Sequence, residues 1–203
     1  MRGIILFLTA AVCALGGQYD KVKIAPEISY LYVYHKGKAV KIHRIQDTKN
    51  KLTGEYAKTY RPGQPIQPIK INDKVRTVGE IELLDFLKKK VNKKEGLLVD
   101  LRSKEYYKKE SIPGAVNIPF KTVHDHDKME KIIRVLGAKR LADGTLDASK
   151  ARTVAFYCHG LWCKKSAEFI KAFLKLGYPP EKILYYRGGF QMWKILGFTT
   201  VTN

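Results

Sequence analysis

Apolar positions recur with two different periods along this chain. From Ile28 to Tyr34 and from Ala39 to Ile45 they alternate with polar ones, the period of a half-buried strand, and His35-Lys36-Gly37-Lys38 between them predicts a hairpin turn. The tyrosines of this region are expected to be half-buried strand residues. Residues 47–51 and 59–68 are turn-rich, and Pro62, Gly63, Pro65 and Pro68 exclude regular structure there. The period then changes. Ile81, Leu84, Leu87 and Val91, widened by Leu83 and Phe86, form one helical stripe that ends before Gly96. Leu97-Leu98-Val99-Asp100 is a continuous apolar run stopped by an acid, as in a central parallel strand. A turn and short strand follow at residues 112–119, a helix at about 129–136, a turn at Asp143-Gly144 and a buried strand from Thr153 to Cys158. The next helix carries Ala167, Phe169, Ile170, Phe173, Leu174 and Leu176 on one side, and Gly177 stops it. Ile183-Leu184-Tyr185-Tyr186 is the last strand, and Gly188-Gly189 opens a short helix through Trp193. Strands alternating with helices predict an α/β fold, a parallel sheet flanked by helices, with an N-terminal β-hairpin and loop extension. Ligands of such sheets gather at strand carboxyl ends, where Asp100, Cys158 and Arg187 all fall.

Composition changes this picture in two places. Arg2 followed by the apolar run from Gly3 to Gly17, and then by polar Gln18-Tyr19-Asp20-Lys21, has the pattern of a secretory signal cleaved near Gly16 or Gly17. That run is shorter than the roughly 20 apolar residues a membrane span needs. The expected organisation is therefore residues 1–17 as signal peptide, 18–77 as extension and 78–203 as the α/β domain. The mature chain is expected to be exported, periplasmic or secreted, with no membrane span. The charge of +19, from 38 Lys and Arg against 19 Asp and Glu, suggests nucleic acid first. The basic residues are scattered without a block of five or six, which reads as a solvated surface with a general attraction for anions and no nucleic-acid partner. Removal of Cys13 with the signal leaves Cys158 and Cys163 as the mature chain's thiols. They stand five positions apart, too close to staple a domain. No paired Cys-x-x-Cys spacing is present, so no metal site and no cofactor are expected, and His124-Asp125-His126-Asp127 reads as a solvated loop despite its metal-like spacing.

The chemistry converges on Cys158. A buried strand delivers this thiol to the loop His159-Gly160-Leu161-Trp162-Cys163-Lys164, which leads into a helix amino terminus. Such a terminus has unpaired N–H groups and about half a positive charge, a setting that lowers a thiol from about 8.5 towards roughly 3.5–7.5 and favours the nucleophilic thiolate. Lys164 and Lys165 stand where helices prefer acids, which suits an anionic substrate. The same residues also fit an inert core cysteine. Trp162 is read as a wall of the pocket, and Arg187 as a side chain that could reach it.

Four ordered motifs carry a resemblance. Leu98-Val99-Asp100-Leu101-Arg102-Ser103 with Glu105-Tyr106, then Ile112-Pro113-Gly114-Ala115-Val116-Asn117-Ile118-Pro119, then Phe156-Tyr157-Cys158, then Gly188-Gly189-Phe190-Gln191-Met192-Trp193, together resemble a rhodanese domain over about residues 78–203. The resemblance implies a five-stranded parallel sheet between helices, with Cys158 accepting a sulfane sulfur as a persulfide and passing it to a nucleophile. It implies a loop that cups the anion with backbone N–H groups, and supporting, mainly structural roles for Asp100 and Arg102. The partners implied are a small anionic sulfur donor and a thiol acceptor. This chain departs from the usual pattern: its loop is longer by about two residues, Cys163 stands where arginine is common, and Ser111 replaces the histidine before Ile112-Pro113-Gly114-Ala115. Three readings follow. The first is a sulfurtransferase with Cys158 as nucleophile and Lys164 holding charge. The second is a redox dithiol that uses Cys158 and Cys163 with a protein thiol partner or reductant. The third is a non-catalytic binding module.

Overall fold

The computed structural model describes residues 21–59 and 65–203, so the expected signal at 1–17 lies outside it. The first elements, β1 (Tyr30–His35) and β2 (Lys38–His43), form the expected antiparallel hairpin, with Tyr30 opposite His43. Its turn residues Lys36 and Gly37 have φ of 48° and 80°, a sense of turn whose twist matches that of the strands it joins. Leu31, Val33 and His35 point inward, whereas Tyr30, Tyr32 and Tyr34 are 48, 53 and 62% exposed. The strand tyrosines are thus on the outer face: strict alternation gives the inner face to the two aliphatic residues and leaves the rings outside.

Then follow β3 (Arg76–Val78), α1 (Glu80–Phe86), β4 (Gly96–Asp100), α2 (Lys104–Lys109), β5 (Ala115–Asn117), α3 (His126–Val135), β6 (Lys139–Arg140), β7 (Leu146–Asp147), β8 (Thr153–Tyr157), α4 (Lys165–Lys175), β9 (Ile183–Tyr186) and α5 (Gly189–Ile195). Five strands make one sheet in the order β3-β9-β8-β4-β5, parallel at every pairing. Because β3 starts at Arg76, the sheet takes in residues ahead of the expected start at 78. The stripe predicted through Val91 is α-helical to Phe86 and continues over Leu87–Val91 as a π-helix, with Asn92 N–H on Leu87 O at 3.1 Å and Glu95 N–H on Lys90 O at 2.9 Å. The Asp143-Gly144 turn joins the short antiparallel pair β6 and β7, which the pattern of apolar residues did not announce.

Side chains of a strand alternate between faces, so the sheet divides the core in two. Leu98, Ala155, Tyr157, Leu184 and Tyr186 pack with α1, α5 and the hairpin residues Leu31, Val33 and Ile42. Val99, Val154, Phe156, Ile183 and Tyr185 pack with α3 and α4. The hairpin therefore belongs to one layer of the domain; alone, two strands would be marginal. Cys158 has the parity of Val154 and Phe156, which places its sulfur on the α4 side, among the second group.

Candidate functional site

Asp100 ends β4 with no exposed surface, and Arg102, 1% exposed, lies across it. Arg102 Nη2 donates to Asp100 Oδ2 at 2.6 Å and Nε to Oδ1 at 3.0 Å, while Tyr157 Oη donates to the same Oδ2 at 2.7 Å. Burial works against the Arg102 charge, and the Asp100 carboxylate more than offsets it, holding the guanidinium above its ordinary pKa. Its face rests 3.9 Å from the centroid of Phe190. Arg102 Nη1 also donates to Tyr56 Oη at 2.9 Å. An arginine has only donors, so the Tyr56 hydrogen is left for His159 Nδ1 at 3.2 Å. A residue of the N-terminal extension thus joins the buried ion pair to the first residue of the cysteine loop. The imidazole of His159 stacks on Trp162 at 5.5 Å and meets the edge of Tyr106 at 4.6 Å.

The loop itself is fixed from below by α5. Phe190 N–H bonds to Cys158 O at 2.9 Å and Gln191 N–H to His159 O at 2.8 Å. Gly189 has φ of 62°, and a Cβ there would stand 2.7 Å from Cys158 O and 2.8 Å from Gly160 N, so the close approach requires glycine. Trp162 Nε1 donates to Gln191 Oε1 at 3.1 Å, and Cys163 N–H closes a turn on Gly160 O at 2.9 Å. This turn brings Cys163 back towards β8, leaving its Sγ 2.8 Å from Cys158 Sγ. Both cysteines are free thiols, and a disulfide bond would be about 2.05 Å. Cys158 and Cys163 are 2% and 4% exposed.

At that separation one proton serves both sulfurs, and the surroundings decide which keeps it. Burial, then the neighbouring Cys163, push the Cys158 thiol well above its ordinary value. Cys163 is drawn down to about 7, first by the Cys158 thiol donating to it, with the His159 and Lys165 amides and the Lys165 ammonium adding. The contact admits either direction of hydrogen bond, and the two shifts run oppositely, Cys158 keeping its proton longer and Cys163 releasing its own sooner. The sequence reading expects the lowered thiol at Cys158; the amide of Lys165 at the helix start acts on Cys163.

Other expected site residues turn elsewhere. Lys164 pairs with Glu168 at 3.2 Å. Lys165 acts on Cys163 and lines a cleft of ≈ 180 Å³ with Leu101, Lys104, Glu105, Phe120 and Lys121. Arg187 clasps the Gln67 carbonyl through Nε at 3.0 Å and Nη2 at 2.5 Å, while Gln67 N–H bonds to Leu161 O at 2.9 Å. Arg187 therefore fastens a strap over the loop. Asp125 caps α3 by accepting from Lys128 N–H at 3.0 Å, which gives the His124–Asp127 stretch a structural part. Three participants escaped the sequence reading: Tyr56, Gln67 and Tyr185. The Tyr185 hydroxyl is buried without a hydrogen-bond partner among the described residues. Burial pushes its pKa up to about 12, against Arg187, and the two cysteines add to the rise. Only its place at a strand end signalled it.

A family model described as "Rhodanese-like domain" matches residues 83–196, from α1 to just past α5, leaving the hairpin and Tyr56 outside. Among solved structures the chain is similar to a rhodanese-related protein from Thermoplasma volcanium, with 22% identity and a TM-score of 0.42, covering 63% of this chain and 99% of that one. It is also similar to a rhodanese with anions from E. coli, at 23% identity and a TM-score of 0.36, covering 53% of this chain and 99% of the other. A third is a thiosulfate sulfurtransferase from Pseudomonas aeruginosa, at 19% identity and a TM-score of 0.44, covering 63% of this chain and 20% of that one. No curated protein matches.

Proposed function

This chain belongs to the rhodanese-like domain family, and from that footing we propose that it is a sulfurtransferase in which Cys158 carries a sulfane sulfur as a persulfide. The observation that carries the reading is the Cys158 sulfur, presented just past the carboxyl end of β8 in contact with the Cys163 sulfur 2.8 Å away. As Cys158 attacks the outer sulfur of thiosulfate or a persulfide, Cys163 takes its proton. The products are a Cys158 persulfide anion, a Cys163 thiol and the departing sulfite or thiolate, so charge and hydrogen balance. The cleft bearing Lys104, Lys121 and Lys165 suits an anionic donor. Tyr185 Oη is an unused donor near the sulfurs for the charge of the persulfide. Cys158 is 2% exposed, so a donor reaches it only when the surrounding loop opens.

A thiol is the natural acceptor, and cyanide is a convenient probe of the same step. Purified, reduced protein given thiosulfate or a polysulfide and cyanide should form thiocyanate. Cys158→Ser should lower the rate by about three orders of magnitude or more; an undiminished rate in that variant would remove Cys158 as the carrier. The near-complete burial of Cys158 also favours a second reading, a module that acts by binding with its loop closed. Absence of thiocyanate with every donor in the wild type would select it. Export is proposed from Arg2 and the apolar run at 3–17, and amino-terminal sequencing of the secreted or periplasmic protein tests it. A start at Met1 would refute cleavage.

A further inference from the structure

Resting on the transferase reading, we infer that Cys163 is a resolving thiol: it ejects the sulfur carried on Cys158 as hydrosulfide and closes a Cys158–Cys163 disulfide, making the protein a reductase of sulfane sulfur. The juxtaposition is direct, Sγ to Sγ at 2.8 Å. It is also held in place from several sides. The Gly160–Cys163 turn, the bonds of Phe190 and Gln191 to the Cys158 and His159 carbonyls, and the Gln67 strap on Leu161 all hold the loop in the conformation that faces the sulfurs together. Sulfurs that pointed apart would have left Cys163 a packing residue.

The step balances. Loading leaves Cys158 as Sγ–S⁻ and Cys163 as a thiol. The Cys163 proton passes to the outer sulfur, the Cys163 sulfur attacks Cys158 Sγ, the Sγ–S bond breaks and HS⁻ leaves. The new bond is Sγ158–Sγ163. Sulfane sulfur gains two electrons, and the two cysteines lose the same two. Closing so short a loop gains less from chain entropy than a longer cross-link would, and it fastens no distant segment, so its formation serves chemistry first. Tyr185 Oη, buried and unpartnered among the described residues, feels the charge of both sulfurs. Turnover then requires an external dithiol to reduce the disulfide, one oxidised per hydrosulfide released. With the Cys158 thiol consumed by loading, the His159 and Lys165 amides and the Lys165 ammonium still favour the Cys163 thiolate, against its burial.

A single-turnover experiment separates this inference from the reading beneath it. Full-length mature protein, reduced, freed of reductant and kept anaerobic, is mixed with a small excess of thiosulfate or inorganic polysulfide. Released sulfide, intact mass and the Cys158–Cys163 peptide are followed. Wild type should release one hydrosulfide per chain with no added thiol and finish two hydrogens lighter, as an internal disulfide. Cys163→Ser, and Cys163→Ala should that variant fold poorly, should load more slowly for want of the proton acceptor but, followed to completion, should accumulate a stable extra sulfur on Cys158 and release none. Cys158→Ser should do neither. A wild type that keeps the extra sulfur alongside a free Cys163, and releases no more sulfide than Cys163→Ser, would overturn the inference while leaving sulfur transfer intact. Failure of wild type and Cys163→Ser alike to take up sulfur would bring down the transferase reading and the inference with it.

Discussion

At the scale of residues, the site is a contest over single protons and single hydrogen bonds. Cys163 owes its low pKa first to the Cys158 thiol. Its alkylation by iodoacetamide, read by peptide mapping, should therefore show a midpoint at about 7 in the wild type. In Cys158→Ala the midpoint should rise towards the ordinary thiol value of about 8.5; an unchanged midpoint would mean that the amides and Lys165 alone hold the thiolate. The Asp100–Arg102 pair makes a different prediction. Both side chains are buried, and removing one partner of such a pair typically costs about 3–5 kcal/mol. Arg102→Met should therefore unfold at much lower urea than Tyr56→Phe, which strips one acceptor from Arg102 and should cost about 1–3 kcal/mol. Asp100, Arg102 and Cys158 were legible in sequence because each sits in a motif at a strand end. Tyr56 was not. Its partner His159 is 103 positions away, and no local pattern announces a contact across that span.

The elements show why the loop has its form. β8 supplies parity, placing Cys158 on the α4 side, and α5 supplies the floor through Gly189. Gly189→Ala would set a Cβ against both Cys158 O and Gly160 N, at a residue with φ of 62°. It should destabilise the protein by about 1–3 kcal/mol and, by displacing the loop, separate the sulfurs. Differential scanning calorimetry and the rate of Cys158–Cys163 disulfide formation read the two effects; normal disulfide formation would show that α5 does not position the loop. Strands and helices were legible because period and parity are properties of neighbours in sequence. The direction of Cys163 was not, since it depends on the backbone path of five residues, and the same spacing is compatible with sulfurs facing or parted. Lys164 and Lys165 illustrate the limit: adjacent residues at a helix start project in different directions, so only one reaches the thiolate.

Across the whole molecule, the extension is part of the domain. His35 at the end of β1 accepts from Gly114 N–H at 3.1 Å through Nδ1 and donates through Nε2 to Asn203 Oδ1 at 2.8 Å. It ties the hairpin to the Ile112-Pro113-Gly114-Ala115 turn and to the chain's last residue. Burial lowers its pKa, Asn203 opposes and Lys36 adds. A folded pKa below the unfolded value of about 6.5 means that the unfolded chain binds the proton first. The stabilisation is present above that value and is lost as pH falls through the lower folded value. Urea midpoints at pH 7 and pH 5 should differ more for wild type than for His35→Gln; equal differences would contradict this linkage. The motifs that showed the domain ended short of this region, because its attachment is made by scattered polar contacts rather than by a repeating pattern. All of these scales meet at Cys158, and the most direct measurement is the mass of its tryptic peptide after reduced protein, with Cys163→Ser in parallel, has met a sulfane donor. The account predicts one added sulfur on Cys158 in Cys163→Ser and, in wild type, an internal Cys158–Cys163 disulfide that leaves the same peptide two hydrogens lighter. An unmodified Cys158 in both, with sulfur found on Cys163 or nowhere, would contradict it.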